Sequence, residues 1–317
     1  MKLGLIVLTA FIIWASCNNT NRNSFKVLKA ADGKSVMITE YQLMSQVTDP
    51  LIIPSRIGKL PVIAIGFETF REKQLTNVII PDSIEVIGEM AFYENQLSSI
   101  FIPDSVIYIG SGAFYRNQLS SITISSSLTE IEAWVFAYNR LSSVTIPSGI
   151  AVIWNYAFAG NQLTSVSIPD SVIEIGEWAF SGNQLTSISI PNGVVAIGAG
   201  AFSGNQLSDV SIPASVQNIG SEAFSRNRLS SISLPDGVEM IDDKAFFSNQ
   251  LTSINIPDSV NFIGDMAFGD NEIEKITINK SIYINEGAFE LDFIHFYNAN
   301  NHKVGTYNYI DGKWNIE

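Results

Sequence analysis

Phenylalanine returns through this chain on a fixed count. Phe70, Phe92, Phe114, Phe136, Phe158, Phe180, Phe202, Phe224, Phe246 and Phe268 stand 22 residues apart, and Phe289 follows after 21. Other columns keep the same phase. Leu75, Leu97, Leu119 and Leu141 begin one that runs to Leu251; Asn95, Asn117, Asn139 and Asn161 begin one that runs to Asn271. A period of this length means coils that each repeat one structural unit.

One unit, Asn183 to Gly204, reads NQLTSISIPNGVVAIGAGAFSG. Leu185, Ile188 and Ile190 face one way; Ser187 and Ser189 face the other. Alternation over these residues predicts a short half-buried strand. Pro191 ends it, because proline has no N–H for a ladder. Asn192 and Gly193 turn the chain. Val194 and Ile197 return to the core and Gly198 permits a second bend. Ala199 to Ser203 is long enough for one helical turn, with Ala201 and Phe202 inward. No unit can bury its apolar side alone, but stacked copies can. About ten coils at about 4.8 Å each predict one parallel sheet roughly 50 Å long. The phenylalanines become an aromatic spine. The asparagines bond to backbone groups of neighbouring coils, which the tight turns would otherwise leave without partners.

The ends depart from the repeat, as caps should. Residues 25–49 form an N-terminal cap, whose stretch Phe25 to Gln42 reads as a β-hairpin turning at Ala31-Asp32-Gly33-Lys34. The repeats occupy residues 50–290, with an extra RIGKLP stretch in the first coil. Residues 291–317 are expected as a β cap, rich in aromatics, with Asp311-Gly312 a strong hairpin turn signal.

The first residues are not part of the fold. Lys2, an apolar run from Leu3 to Trp14 and then Ala15 and Ser16 make a secretory signal peptide over residues 1–16. Its dozen apolar residues are too few to span a membrane, which takes about 20. The single cysteine, Cys17, follows at once. Small residues directly before a cysteine resemble a bacterial lipoprotein signal, although Trp14 stands where that pattern has leucine. Cys17 is thus the expected lipid anchor, and residues 17–24 a polar tether.

LTSISIPNGVVAIGAGAF and its siblings resemble the treponemal-type leucine-rich repeats of BspA-like bacterial surface proteins. The matching elements are the LxxIxIP strand, V-x-x-I-G and the Ala-Phe pair, over about residues 50 to 290. The resemblance implies a leucine-rich repeat solenoid with a parallel β-sheet on the concave side. Short strands and single helical turns would line the convex side, with β-rich caps. It also implies export to a bacterial surface, and likeness to adhesins.

No constellation for chemistry stands out. His295 and His302 are the only histidines and both lie in the C-terminal cap. No Ser-His-Asp set, Cys/His metal spacing or phosphate loop is present in the sequence. No catalytic residue, metal or cofactor is expected, and the chain is read as no enzyme. Asp82, Asp104, Asp170, Asp236 and Asp258 follow the strand-ending proline, where aspartate is a common turn residue. Net charge is −13, which disfavours nucleic acid and anionic lipid as partners. Membrane contact is expected through the anchor alone.

Two surfaces remain. The outward strand face is a carpet of Ser and Thr, from Ser99 and Ser121 through Thr145 to Ser187 and Ser189; small side chains rarely give affinity hot spots. The sharper candidate is the column two before the phenylalanine. There Trp134, Tyr156 and Trp178 follow one another at about 5 Å spacing, opposite the strands. Trp154 and Tyr138 lie near them in sequence, with Arg140 at the edge. Aromatics can stack on sugar rings or anchor a protein partner. The expected function is that of a surface-displayed adhesin or ligand-binding lipoprotein. Its partner would be an extracellular protein or glycan, and the chain itself a monomer. The alternative is a structural spacer or envelope scaffold with no ligand. Metabolic fatty-acid labelling of the wild-type protein should be abolished in Cys17→Ala.

Overall fold

A computed structural model of the protein describes residues 13–16, 24–42, 50–285, 287–289 and 291–317. Cys17 and residues 18–23 of the tether lie outside the described residues. The chain forms two compact units, Met1–Gly149 and Ile150–Glu317. Each is a parallel-strand β-solenoid built on the 22-residue period.

The phenylalanines form the spine that the period predicts. In the first unit Phe70, Phe92, Phe114 and Phe136 stack at centroid distances of 5.1, 5.3 and 5.8 Å, with planes within 8° of parallel. In the second, Phe158 to Phe289 stack at 5.0 to 5.6 Å. Phe70 to Phe246 are all 0% exposed. Burying one such ring contributes about 1.5–3 kcal/mol, and an offset stack adds about 0.5–1.5 more. A spine of equal rings has one spacing that fits every step, so each coil fixes the height of the next.

The asparagine column fastens coil to coil as expected. Asn205 is typical. Its Nδ2 donates to the carbonyls of Phe202 in its own coil and Phe180 in the preceding one, both at 3.0 Å. Its Oδ1 accepts the Leu185 N–H at 3.1 Å. The side chain therefore satisfies two carbonyls and one amide that turn on the inside of the coil. Asn95, Asn117, Asn183, Asn227, Asn249 and Asn271 make the same set.

The alternating residues form short parallel strands as expected, and a second, longer ladder runs beside them. The continuous ladder is made by the V-x-x-I-G segment. In the second unit it joins Val152–Ile153, Glu174–Ile175, Ala196–Ile197, Asn218–Ile219, Met240–Ile241, Phe262–Ile263 and Tyr283–Ile284, all parallel. In the first it joins Leu60–Ile65, Val86–Ile87 and Tyr108–Ile109. The LxxIxI strands pair only in short stretches, such as Ser187–Ser189 with Asp209–Ser211. Glycine follows this strand in most coils, although Trp154 and Asp242 hold the position in two coils of the second unit and the ladder continues through them. A Cβ on Gly198 would come within 2.6 Å of the Gly176 backbone, so the coils approach here more closely than a side chain allows.

The Ala-Phe segment is a run of tight turns rather than the expected helical turn. Two residues per coil, two before and two after the phenylalanine, are left-handed: Met90 and Glu94 at φ 54° and 50°, Trp134 and Tyr138 at 63° and 54°. Both donate N–H groups along the stack, Met90 to Ser111 and Glu94 to Tyr115 at 3.0 and 2.9 Å. Tyr93, between them, donates to Met90 of its own coil. This second ladder satisfies backbone that a helix would have satisfied internally.

The caps close both ends. Ser24–Lys29 and Val36–Gln42 form the expected hairpin, and Val36–Gln42 continues in parallel to Leu60–Ile65. Ile13–Ser16 adds an antiparallel strand to Ser24–Lys29. Phe25 and Tyr41 seal the spine against Phe70. The C-terminal cap corrects the expectation of an all-β end: Leu291–Ala299 is an α-helix. It places Phe293 against Phe289, Tyr307 and Trp314 at 5.1, 5.3 and 4.9 Å. The aromatic richness of residues 291–317 is thus a plug. Gly305–Ile310 and Lys313–Ile316 form the hairpin that Asp311-Gly312 signals, and Gly305–Ile310 caps Lys275–Ile278 in the antiparallel sense.

Asn205→Ala leaves two buried carbonyls and one buried amide without partners. It should cost roughly 2–4 kcal/mol, read as a lowered urea midpoint, whereas Gln206→Ala on the solvent side should leave the midpoint within experimental error.

Candidate functional site

The sequence-expected aromatics fall in both units. In the first unit Trp134 and Tyr138 come together, their rings 6.5 Å apart and within 13° of parallel. In the second, Tyr156 and Trp178 stack at 6.2 Å, also within 13°. Trp154 lines a different hollow of about 540 Å³, with Asn155, Ile173, Glu174 and Val195. Exposure also differs from expectation. Tyr138 is exposed, but Trp134, Trp154, Tyr156 and Trp178 are half-buried. They cover the turns beneath them as well as facing outward.

Around Trp134 the structure adds residues that the sequence reading passed over. Tyr115 meets Trp134 and Tyr138 edge-on at 5.7 and 5.5 Å. Tyr93 stacks on Tyr115 at 5.2 Å. Both sit one position after a spine phenylalanine, a column whose other members are mostly small. Reading that column with the one two before the phenylalanine would have found them. A slot of about 320 Å³ opens here, lined by Met90, Tyr93, Tyr115 and Trp134 with Gly112 among them and with Glu89, Ser111 and Ala133 at the edge. All of these residues belong to the first unit.

Charge is arranged around the rings. Arg71 lies over Tyr93 at 4.8 Å and Arg116 over Tyr115 at 5.3 Å, positions of cation–π attraction. Arg116 is also paired with Glu94 at 2.9 Å, and Arg71 with Glu68 and Glu72. The expected cation, Arg140, is exposed. Its backbone N–H bonds to Leu119, and the guanidinium groups over rings are those of Arg71 and Arg116. Glu132 occupies the coil position where Gly66, Gly88 and Gly110 stand in the coils before it. Burial first, then the nearby Glu130, pushes its carboxyl above the usual range, and Ser111 donates a hydrogen bond that partly offsets this.

Bulky side chains in this column carry a backbone cost. Trp134, Tyr156 and Trp178 adopt φ of 63°, 59° and 57°, where Gly112 and Gly200 sit at 64° and 60°. A non-glycine residue there costs about 1–2 kcal/mol. The other members, Glu222, Lys244 and Met266, are also non-glycine, so the column tolerates substitution.

The strand face is as polar as expected over Ser187 and Ser189, which are exposed. Its first coils are not. Ile52, Ile79 and Phe101 stand outward at 55%, 48% and 61% exposure, and Ile52 pairs with Ile79 across the ladder. Near the proline turn, Asp104 accepts the Ser126 N–H and hydroxyl at 2.8 and 2.9 Å, which holds its carboxyl below the usual range. That is the behaviour of a turn-to-turn link. Among the described residues, no three His, Cys, Asp or Glu side chains gather as metal ligands, and no helix is long and apolar enough to cross a membrane.

Repeated strand, close-packed glycine, stacked phenylalanine and buried asparagine define a leucine-rich repeat protein. A model of the BspA type leucine rich repeat region matches residues 63–186 and 174–295, and the chain belongs to that family. No curated protein matches the sequence. Among solved structures, the pneumococcal vaccine antigen PcpA is 22% identical, covers 86% of this chain and 84% of its own, and superposes with a TM-score of 0.59. A leucine rich cell surface protein from Faecalibacterium prausnitzii is 24% identical over 83% of this chain and 94% of its own, with a TM-score of 0.42. The T. pallidum leucine rich repeat protein is 25% identical over 61% and 82%, also at 0.42. PcpA shares the fold with this chain.

Glu132 gives a pH signature. Its folded carboxyl holds a proton more tightly than the unfolded one, so its ionisation costs stability as pH rises from the unfolded value of about 4.3 through the raised folded value. Glu132→Gln should therefore raise the melting temperature at pH 7, with the gain shrinking to nothing as the pH falls below that window.

Proposed function

We propose that this chain is exported and displayed at a bacterial surface, lipid-anchored through Cys17, where it acts as a non-enzymatic adhesin or ligand-binding protein. Its partner is an extracellular protein or glycan. The family is one of repeat scaffolds, and among the fold relatives one is described as a vaccine antigen and another as a cell surface protein. These support the address and the class of activity.

One observation carries the binding reading. Trp134 occupies a left-handed backbone position where glycine would be unstrained, and it forms a wall of the slot with Tyr93 and Tyr115. Glu68, Met90, Glu222, Lys244 and Met266 meet the same backbone cost, so what sets Trp134 apart is its large ring in the slot, and Trp and Tyr are the side chains that most often anchor partners. The rings are preorganised by mutual stacking, so little side-chain entropy is lost on contact.

The exported protein should bind saturably to at least one member of a panel of matrix proteins and glycans. Trp134→Ala should weaken that binding by about tenfold or more while the protein stays folded by circular dichroism. A clean negative across the panel would instead favour a spacer without a ligand.

A further inference from the structure

One outward column of the strand face changes character along the chain. Ile52, Ile79 and Phe101 head it, and from Thr123 to Asn255 every member is Ser, Thr or Asn. Ile52 pairs with Ile79 across the parallel strands, and Phe101 repeats the position of Ile79 one coil later. The three stand outward at 55%, 48% and 61% exposure, while Leu51, Val78 and Ile100 beside them are buried. Three successive coils of the first unit thus hold an apolar strip in solvent, which marks a surface that something covers.

We propose that this strip rests on the lipid bilayer that the Cys17 acyl chains enter, a contact beyond the anchor itself that rests on the lipid-anchored reading above. Its place in the chain carries the argument. Cys17 precedes Ser24 by seven residues, a reach of at most about 25 Å. Ser24 opens the cap hairpin, whose strand Val36–Gln42 pairs directly with Leu60–Ile65 of the first coil. The apolar members of the column are therefore those of the coils nearest the anchor. A partner in solution could meet any coil of this face equally well; the bilayer alone distinguishes near coils from far ones. Three side chains are too few to recruit a free protein, but a tether makes the contact intramolecular and raises its effective concentration. Charge divides the same way. Residues 24–73 carry seven Lys and Arg against five Asp and Glu, whereas residues 74–317 carry nine against 26. The net charge that disfavours anionic lipid for the whole chain is thus carried beyond the cap and first coil. Arg56 and Lys59, both exposed, follow Ile52 in that coil and suit lipid phosphates.

Photo-crosslinking tests this, with p-benzoylphenylalanine in place of Phe101 and the exported protein held on vesicles of phosphatidylethanolamine and phosphatidylglycerol. Irradiation should add the mass of a phospholipid to the peptide that contains this position. The same residue in place of Ser211, in the same column of the second unit, should gain none. Ile52→Ser combined with Ile79→Ser should lower the lipid adduct at position 101 by about tenfold or more; if that pair does not fold, the comparison of positions 101 and 211 decides alone. Lipid adducts at neither position, or at both alike, overturn the proposal. A crosslinked dimer at position 101 also overturns it and gives the strip to a second copy. The intact mass of the wild-type protein keeps the anchoring reading separate. Without acyl chains on Cys17 that reading fails, and Cys17 joined to a maleimide-bearing lipid then holds the protein on the vesicle so that the strip is still tested.

Discussion

Coil after coil of this protein hangs on an amide side chain turned in from the solvent. A 22-residue coil must turn its backbone sharply several times, and each turn points carbonyls and amides inward. Water cannot follow them past a stack of phenylalanines. The asparagine solves this with one planar group: two N–H bonds go to two carbonyls and one oxygen takes an amide, within and between coils. Glutamine is a methylene too long for the place, and aspartate has no donor. The strands, the glycine approach and the aromatic spine all presuppose coils held at that height.

Much of this was legible in the sequence, because periodicity multiplies a weak local signal. The strand residues, the caps' positions, the asparagine's task and the Asp311-Gly312 hairpin follow from single-unit reasoning repeated in phase. Three features were not legible. The ladder through the V-x-x-I-G segment pairs only about two residues per coil, too few for alternation to reveal, and the close approach at its glycines is a property of pairs of coils. The Ala-Phe segment looks helical by length, but its N–H groups are satisfied by the next coil, which no single unit reveals. The helix Leu291–Ala299 is short and lies in a stretch without a repeat to average over.

The candidate site was half legible for a related reason. Trp134 and Tyr138 stand out as large residues in small columns. Their neighbours Tyr93 and Tyr115 belong to a different column, and only the turn geometry brings the two columns together. Trp154 shares the aromatic richness of that stretch and lines a hollow of the second unit with Asn155 and Val195.

The left-handed columns have a consequence for how such a molecule changes over time. Both positions of each coil lie outside the core, their backbone held by bonds that do not involve the side chain, and the penalty for any non-glycine residue is nearly the same. Residues as unlike as Trp, Met, Glu, Lys and Gly occupy them here. A single substitution can therefore change which side chain covers the next coil, as Met90 covers Gly112 and Trp178 covers Gly200, with the scaffold untouched. Recognition on this surface is made by subtraction as readily as by addition, one coil at a time.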